Sequence, residues 1–173
     1  MKIIVKKSLH NLLLLILIPV VIPSCQSLKS DPPFTGTWQH KDVVTADELV
    51  FNTTRTLTLT KKTYEEIYVI ERADEGIISG IIGMKGDLFL SHSNITFLLK
   101  ELGTCVLDAS ERCTDSVQWF EEGSQYWIDN IPYFKITVKG DFEVDETTLW
   151  LKRDMNNDGD FDDTGEDIEF ERI

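Results

Sequence analysis

The sequence predicts an all-β antiparallel domain, a meander closed into a barrel or folded as a sandwich. Three observations carry that prediction. Segments of alternating or β-branched and aromatic character recur from residue 35 to the C-terminus, with turn signals between most of them. No segment keeps an apolar period of 3.6 residues over three turns, so no substantial helix is expected. The connections are mostly short, which suits hairpins between sequential strands, and the count comes to about 8 to 10 strands.

The elements follow in order. "TGTWQHKDVV" (35–44) opens the domain, and "RTLTLT" (55–60) alternates threonine and leucine as a half-buried strand does. "TYEEIYVIE" (63–71) is rich in Tyr, Ile and Val. The turn "ADEG" (73–76) leads to "IISGIIG", whose glycines suggest a bulge or sharp bend. "DLFLSH" (87–92) and "NITFLLK" (94–100) read as two strands joined tightly. The stretch 102–122 is the least regular. "SQYWI" (124–128), "PYFKITVKG" (132–140), "TTLWLKR" (147–153) and "DIEFERI" (167–173) complete the set. "KGDLF" (85–89) and "KGDFE" (139–143) echo one another as two similar turns.

Ahead of the domain stands a leader. Lys2, Lys6 and Lys7 form a positive start, and "LLLLILIPVVI" (12–22) an apolar run. That run has about 11 residues where a membrane-spanning helix needs roughly 20, so a signal peptide (1–24) is the expectation. The "IPSCQS" that follows resembles the lipobox of bacterial lipoproteins, with Ile22 and Pro23 where leucine and a small residue are usual. The resemblance implies cleavage before Cys25 and acylation of its thiol, then a tether over 25–33 and a domain over 34–173. It also implies a cell-envelope location on the outer membrane, because Gln26 rather than aspartate follows the cysteine.

Three lysines would leave with the leader, taking the net charge from −13 to −16. A field of that sign opposes nucleic acid and anionic lipid and favours cations. Once Cys25 is assigned to lipid, Cys105 and Cys113 remain as a pair. In a compartment outside the cytosol they are expected to form a disulfide.

"GTW", Gly36 to Trp38 on the first strand, resembles the opening of the lipocalin family, and "FEVDETTLWLKRD" (142–154) its late hairpin. The resemblance implies a lipocalin-like barrel with Trp38 plugging one end. An arginine from a late strand would stack on that ring: Arg172 is the candidate and Arg153 the runner-up. It also implies a cup for a small apolar ligand, or a scaffold whose loops bind a partner. Tyr64, Phe89, Phe97, Trp119, Trp127 and Phe134 are the aromatic candidates for the lining or the core.

The sequence holds no G-x-S-x-G elbow, no H-E-x-x-H and no phosphate-cradling glycine loop, so no enzyme is expected. His40 and His92, the histidines outside the leader, read as surface residues. "DMNNDGDFDD" (154–163) resembles the calcium loops of EF-hand proteins. Asp154, Asn156, Asp158, Asp160 and Asp162 alternate around Gly159, and Glu166 stands one place beyond the usual anchoring position. Strand-like flanks and Gly165 at the anchor position exclude a calcium switch. Two readings stand: a weak calcium site in a hairpin loop, or a solvated turn. Calcium is the one cofactor suggested. For function, a membrane-anchored binder of an apolar molecule stands first. A surface adhesin or envelope-assembly lipoprotein with a filled core is the alternative.

Overall fold

A computed structural model of the chain describes residues 32–155, 160–161 and 166–173. The leader, Cys25 and all of the tether before Pro32 lie outside the described residues, as do Asn156, Asp158 and Asp162.

Among the described residues nine strands form the domain: β1 (Gly36–Ala46), β2 (Leu49–Leu59), β3 (Thr63–Arg72), β4 (Ile77–Ser91), β5 (Asn94–Leu107), β6 (Cys113–Glu121), β7 (Thr137–Val144), β8 (Thr148–Arg153) and β9 (Asp167–Arg172). Every pairing is antiparallel. The strand order β4-β3-β2-β1-β9-β8-β7-β5 closes on itself through β4–β5, which makes an eight-stranded meander barrel. This is the lipocalin-like architecture. The ninth strand, β6, pairs with β5 beyond the point where β7 leaves it: β7 covers Asn94 to Leu98, and β6 covers Glu101 to Leu107.

The barrel is uneven in height. β9 pairs with β1 only at Trp38 and Gln39, while β1 and β2 stay paired out to Ala46 and Leu49. Above that level the wall consists of β1 to β6, with one edge of β1 and one edge of β6 unpaired by strands. A two-residue turn, Asp47 and Glu48 at φ 49° and 69°, tops the β1–β2 hairpin. Such turns follow the right-handed twist of the paired strands.

Several expectations change. "SQYWI" is not a strand: a short helix α1 (Gln125–Asn130) begins there, and Ser124 Oγ caps it by accepting from Trp127 N–H. At six residues it is too short to display a helical period. β4 runs unbroken through Lys85 and Gly86, which had read as a turn, and β5 reaches Leu107 through the stretch that looked irregular. The two "KGD" sequences lie inside β4 and β7. A Cβ on Gly86 would come 1.8 Å from the Leu98 carbonyl oxygen, and one on Gly140 would come 1.9 Å from that of Lys152. Glycine therefore stands there for close strand approach, a need that resembles turn chemistry in sequence. The expected bulge is present: the β3–β4 register shifts between Ile70 and Glu71, opposite Gly80 and Ile78.

Cys105 and Cys113 are joined by a disulfide that ties the end of β5 to the start of β6 across an irregular step in their ladder. The core sits in the lower barrel, where Trp38, Leu57, Leu149, Leu151 and Phe170 are all fully buried. Trp127 of α1 adds a smaller cluster with Leu99 and Leu102.

Candidate functional site

Three inward strand positions hold charges where alternation calls for apolar residues. On β2 the inward series is Arg55, Leu57, Leu59. On β8 it is Leu149, Leu151, Arg153, and on β3 it is Tyr64, Glu66, Tyr68. Arg153 Nη1 donates to Glu66 Oε2 at 2.6 Å, and Nη2 to Oε1 at 3.1 Å. Arg55 Nε donates to the same Oε1 at 3.1 Å, and its Nη2 lies 3.0 Å away. β3 and β8 are four strand steps apart whichever way the ring is followed. The Glu66–Arg153 pair therefore crosses the barrel's full width.

Both carboxylate oxygens are engaged. The Glu66 and Arg153 side chains are 1% and 4% exposed, and Arg55 is 18% exposed. Burial by itself would raise the Glu66 pKa. The charges of Arg153 and Arg55, with their hydrogen bonds, reverse this and hold it at about 2 against an ordinary 4.5. Burial, and then the Glu66 charge, push the neighbouring Tyr64 phenol up. The Tyr64 ring meets Phe97 edge-on at 4.9 Å, and Arg153 lies 5.7 Å from the Phe97 centroid. The pair thus fills the lumen at its level together with aromatic rings.

The register then separates two zones. One hydrogen-bonded row runs Trp38, Leu57, Glu66, Met84, Leu102. Four of these five are at most 1% exposed, and Met84 is half-buried against the core. The next inward row runs His40, Arg55, Tyr68, Ile82, Thr104, Gln118, and none of these is buried. The first row is sealed, and the second is the first level of the inner face, along β1 to β6, that water reaches. Ile70, Phe51 and Ile77 continue the inner face above it.

The opposite end is closed by the G-x-W stretch. Trp38 is fully buried, and its Nε1 donates to the Phe34 carbonyl at 2.9 Å. The Arg172 guanidinium lies 4.0 Å from the Trp38 ring centroid, a distance at which a cation is attracted to an aromatic face. Its Nε donates to the Glu146 carbonyl, Nη1 to that of Thr35 and Nη2 to that of Pro33. Gly36 has φ 136°, and a Cβ there would come 2.7 Å from Arg172 Nη1. The glycine makes room for the arginine that covers the tryptophan. Arg153, the runner-up for that stacking role, is committed to Glu66 instead. An open cleft of about 920 Å³ lies at this end, beside Pro33, Gly36, Leu59 and Lys62.

The other expected site residues are scattered. Tyr64, Phe97 and Trp127 are interior, and Phe134 packs against the cluster of Leu99, Leu102 and Trp127. Phe89 is 56% exposed, and Trp119 covers Gly83 and Gly103 on the outward face of the β4–β5 pair, with Lys85 Nζ 3.8 Å from its centroid. His92 is exposed at the β4–β5 turn. His40 is part-exposed, as its surface assignment expects, with Nδ1 2.9 Å from the Glu169 carbonyl oxygen. In the acidic loop, Asp154 is half-buried and Asp160 exposed. Glu166 is 1% exposed and accepts Met155 N–H at 2.6 Å. Among the described residues no three His, Cys, Asp or Glu side chains gather as a metal site.

Sequence reasoning missed Arg55 and Glu66 altogether. The available signal was a charge prolonging a buried alternation, as in L-x-L-x-R at 149–153. No family model matches this chain, and no curated protein matches it.

A carboxylate with a depressed folded-state pKa stabilises the fold above its unfolded pKa and loses that contribution as pH falls through the folded one. For Glu66 the window runs from about pH 4.5 down to about 2. Glu66→Gln is expected to cost about 3–5 kcal/mol at pH 7, because two guanidiniums lose their carboxylate. It should also flatten the decline in stability across that window. Urea unfolding at pH 7 and pH 3 measures both, and equal pH dependence in variant and wild type would remove Glu66 from the acid response.

Proposed function

We propose that this protein is a membrane-anchored lipoprotein that holds a small apolar molecule in the half-open upper barrel. The observation that carries the reading is the change in burial across a single inward row, from the sealed Glu66 level to the open Arg55 level. Ile82 lies at that level and Ile70, Phe51 and Ile77 lie above it, apolar groups on an inner face that water reaches. Sites for small apolar ligands share this concave, mostly apolar character with a few polar groups. Native mass spectrometry of protein extracted from its own host tests it. A retained small molecule is the expected result, and a bare protein mass under conditions that preserve folding counts against it.

The anchor rests on the lipobox resemblance. Acyl chains bind a bilayer by about 0.8 kcal/mol per buried methylene, so several of them hold a protein permanently. Fatty-acid label is expected on the wild type and not on Cys25→Ala; equal labelling of both sinks the lipoprotein assignment.

Calcium in the acidic loop belongs to the same reading as a stabilising ion, not a working one. Residues 154–173 carry nine acids and one arginine, a crowding that a cation relieves. Calorimetry with millimolar calcium should show heat that Asp158→Asn reduces, and an unchanged trace would leave a turn alone.

The alternative, a surface interaction protein, draws on Val106 and Leu107. They stand 38% and 57% exposed beside the disulfide.

A further inference from the structure

The charge count at the cup's base does not close. Two guanidiniums meet one carboxylate, so the cluster keeps one positive charge in a chain whose net charge is −13. Glu66 and Arg153 are sealed. Arg55 is the member that reaches the cup, and its hydrogen bonds to Glu66 use Nε and Nη2, leaving Nη1. Burial, opposed by the Glu66 charge and assisted by the like charge of Arg153, lowers the Arg55 pKa. A further anion beside it is therefore favoured.

Three polar side chains share its row. Tyr68 stands next to Arg55 in register, with the guanidinium 5.6 Å from its ring centroid, and Thr104 and Gln118 follow across β5 and β6. None of the three makes a side-chain hydrogen bond among the described residues. Asp42, one inward position higher on β1, is the carboxylate that could have answered the charge. It is exposed, and its Oδ1 accepts from Val43 N–H. Above the polar row the inner face is mixed: Ile70 shares its row with Asp42 and Thr53, and Phe51 and Ile77 flank Arg72, which is paired with Asp74 and Glu75.

We infer that Arg55 is a headgroup subsite that takes the carboxylate of an amphipathic molecule, with Tyr68 beside it and the apolar tail against Ile70, Ile82 and Phe51. The remaining Nη1 suits this task because the guanidinium stays charged, and a charged hydrogen bond is stronger than a neutral one. The assignment rests on the apolar-ligand reading and adds a charge requirement and an orientation, headgroup inward and tail towards the open end.

The test is a titration of the full chain with dodecanoate and with dodecanol, bound fractions being counted by native mass spectrometry. The two probes share a tail and differ in the head. Dodecanoate is expected to bind about 10- to 100-fold more tightly to the wild type, the range of one charged hydrogen-bonded contact. Arg55→Gln should bring dodecanoate down to the dodecanol level, with circular dichroism reporting that the variant is folded. Equal affinities in the wild type, or a preference that survives Arg55→Gln, overturns the headgroup subsite and leaves the apolar cup standing. Binding of neither probe overturns both. If Arg55→Gln loses both probes, Arg55→Lys decides: with its charge kept it must still prefer dodecanoate, and loss of that preference overturns the subsite.

Discussion

Glu66 and Arg153 face each other across the whole width of the barrel, and the division of the molecule into a packed half and an open half follows from that contact. Two buried ions give up their water, so the pair adds little net stability compared with apolar side chains of the same volume. Its consequence is geometric. A bidentate guanidinium–carboxylate contact sets the separation of two walls that no hydrogen-bonded ladder joins directly. Below it the inward residues pack to complete burial around Trp38 and Phe170. Above it the inward side chains of the same strands are half-exposed or exposed, apart from buried Thr53.

The two ends of the barrel answer different demands. At the closed end, Arg172 gathers three chain segments by donating to the Pro33, Thr35 and Glu146 carbonyls while it covers Trp38. One arginine therefore ties together three segments of the chain at this seam. At the open end the strands are unequal in length. β7, β8 and β9 stop near the level of Arg153, while β1 to β6 continue, so the wall above is incomplete. α1 partly answers the gap by sending Trp127 onto Leu99 and Leu102. A cup here results from short strands as much as from a hollow core.

The strand pattern was legible because the alternation of apolar and polar residues is local. "RTLTLT" and "TTLWLKR" state which face is buried without reference to anything distant, and both lie on strands in the barrel wall. The cysteine pair was legible for a similar reason: once Cys25 is set apart, only one pairing remains, and the disulfide is formed. What misled was chemistry shared between two structural roles. Gly86 and Gly140 look like turn glycines but serve close approach between strands. "SQYWI" has strand-like composition but takes its helical start from the Ser124 cap.

By itself, the sequence determined the all-β class and, within the alternating segments, which residues share a face, since each of these depends on neighbours within a few positions. Only the tertiary structure decided that Arg55, Glu66 and Arg153 form one cluster, that Arg153 is occupied there, and that the barrel is sealed at one level and open at the next. The physical reason is separation along the chain. Glu66 and Arg153 are 87 residues apart on opposed strands, and the partner of a buried charge is set by how the ring closes.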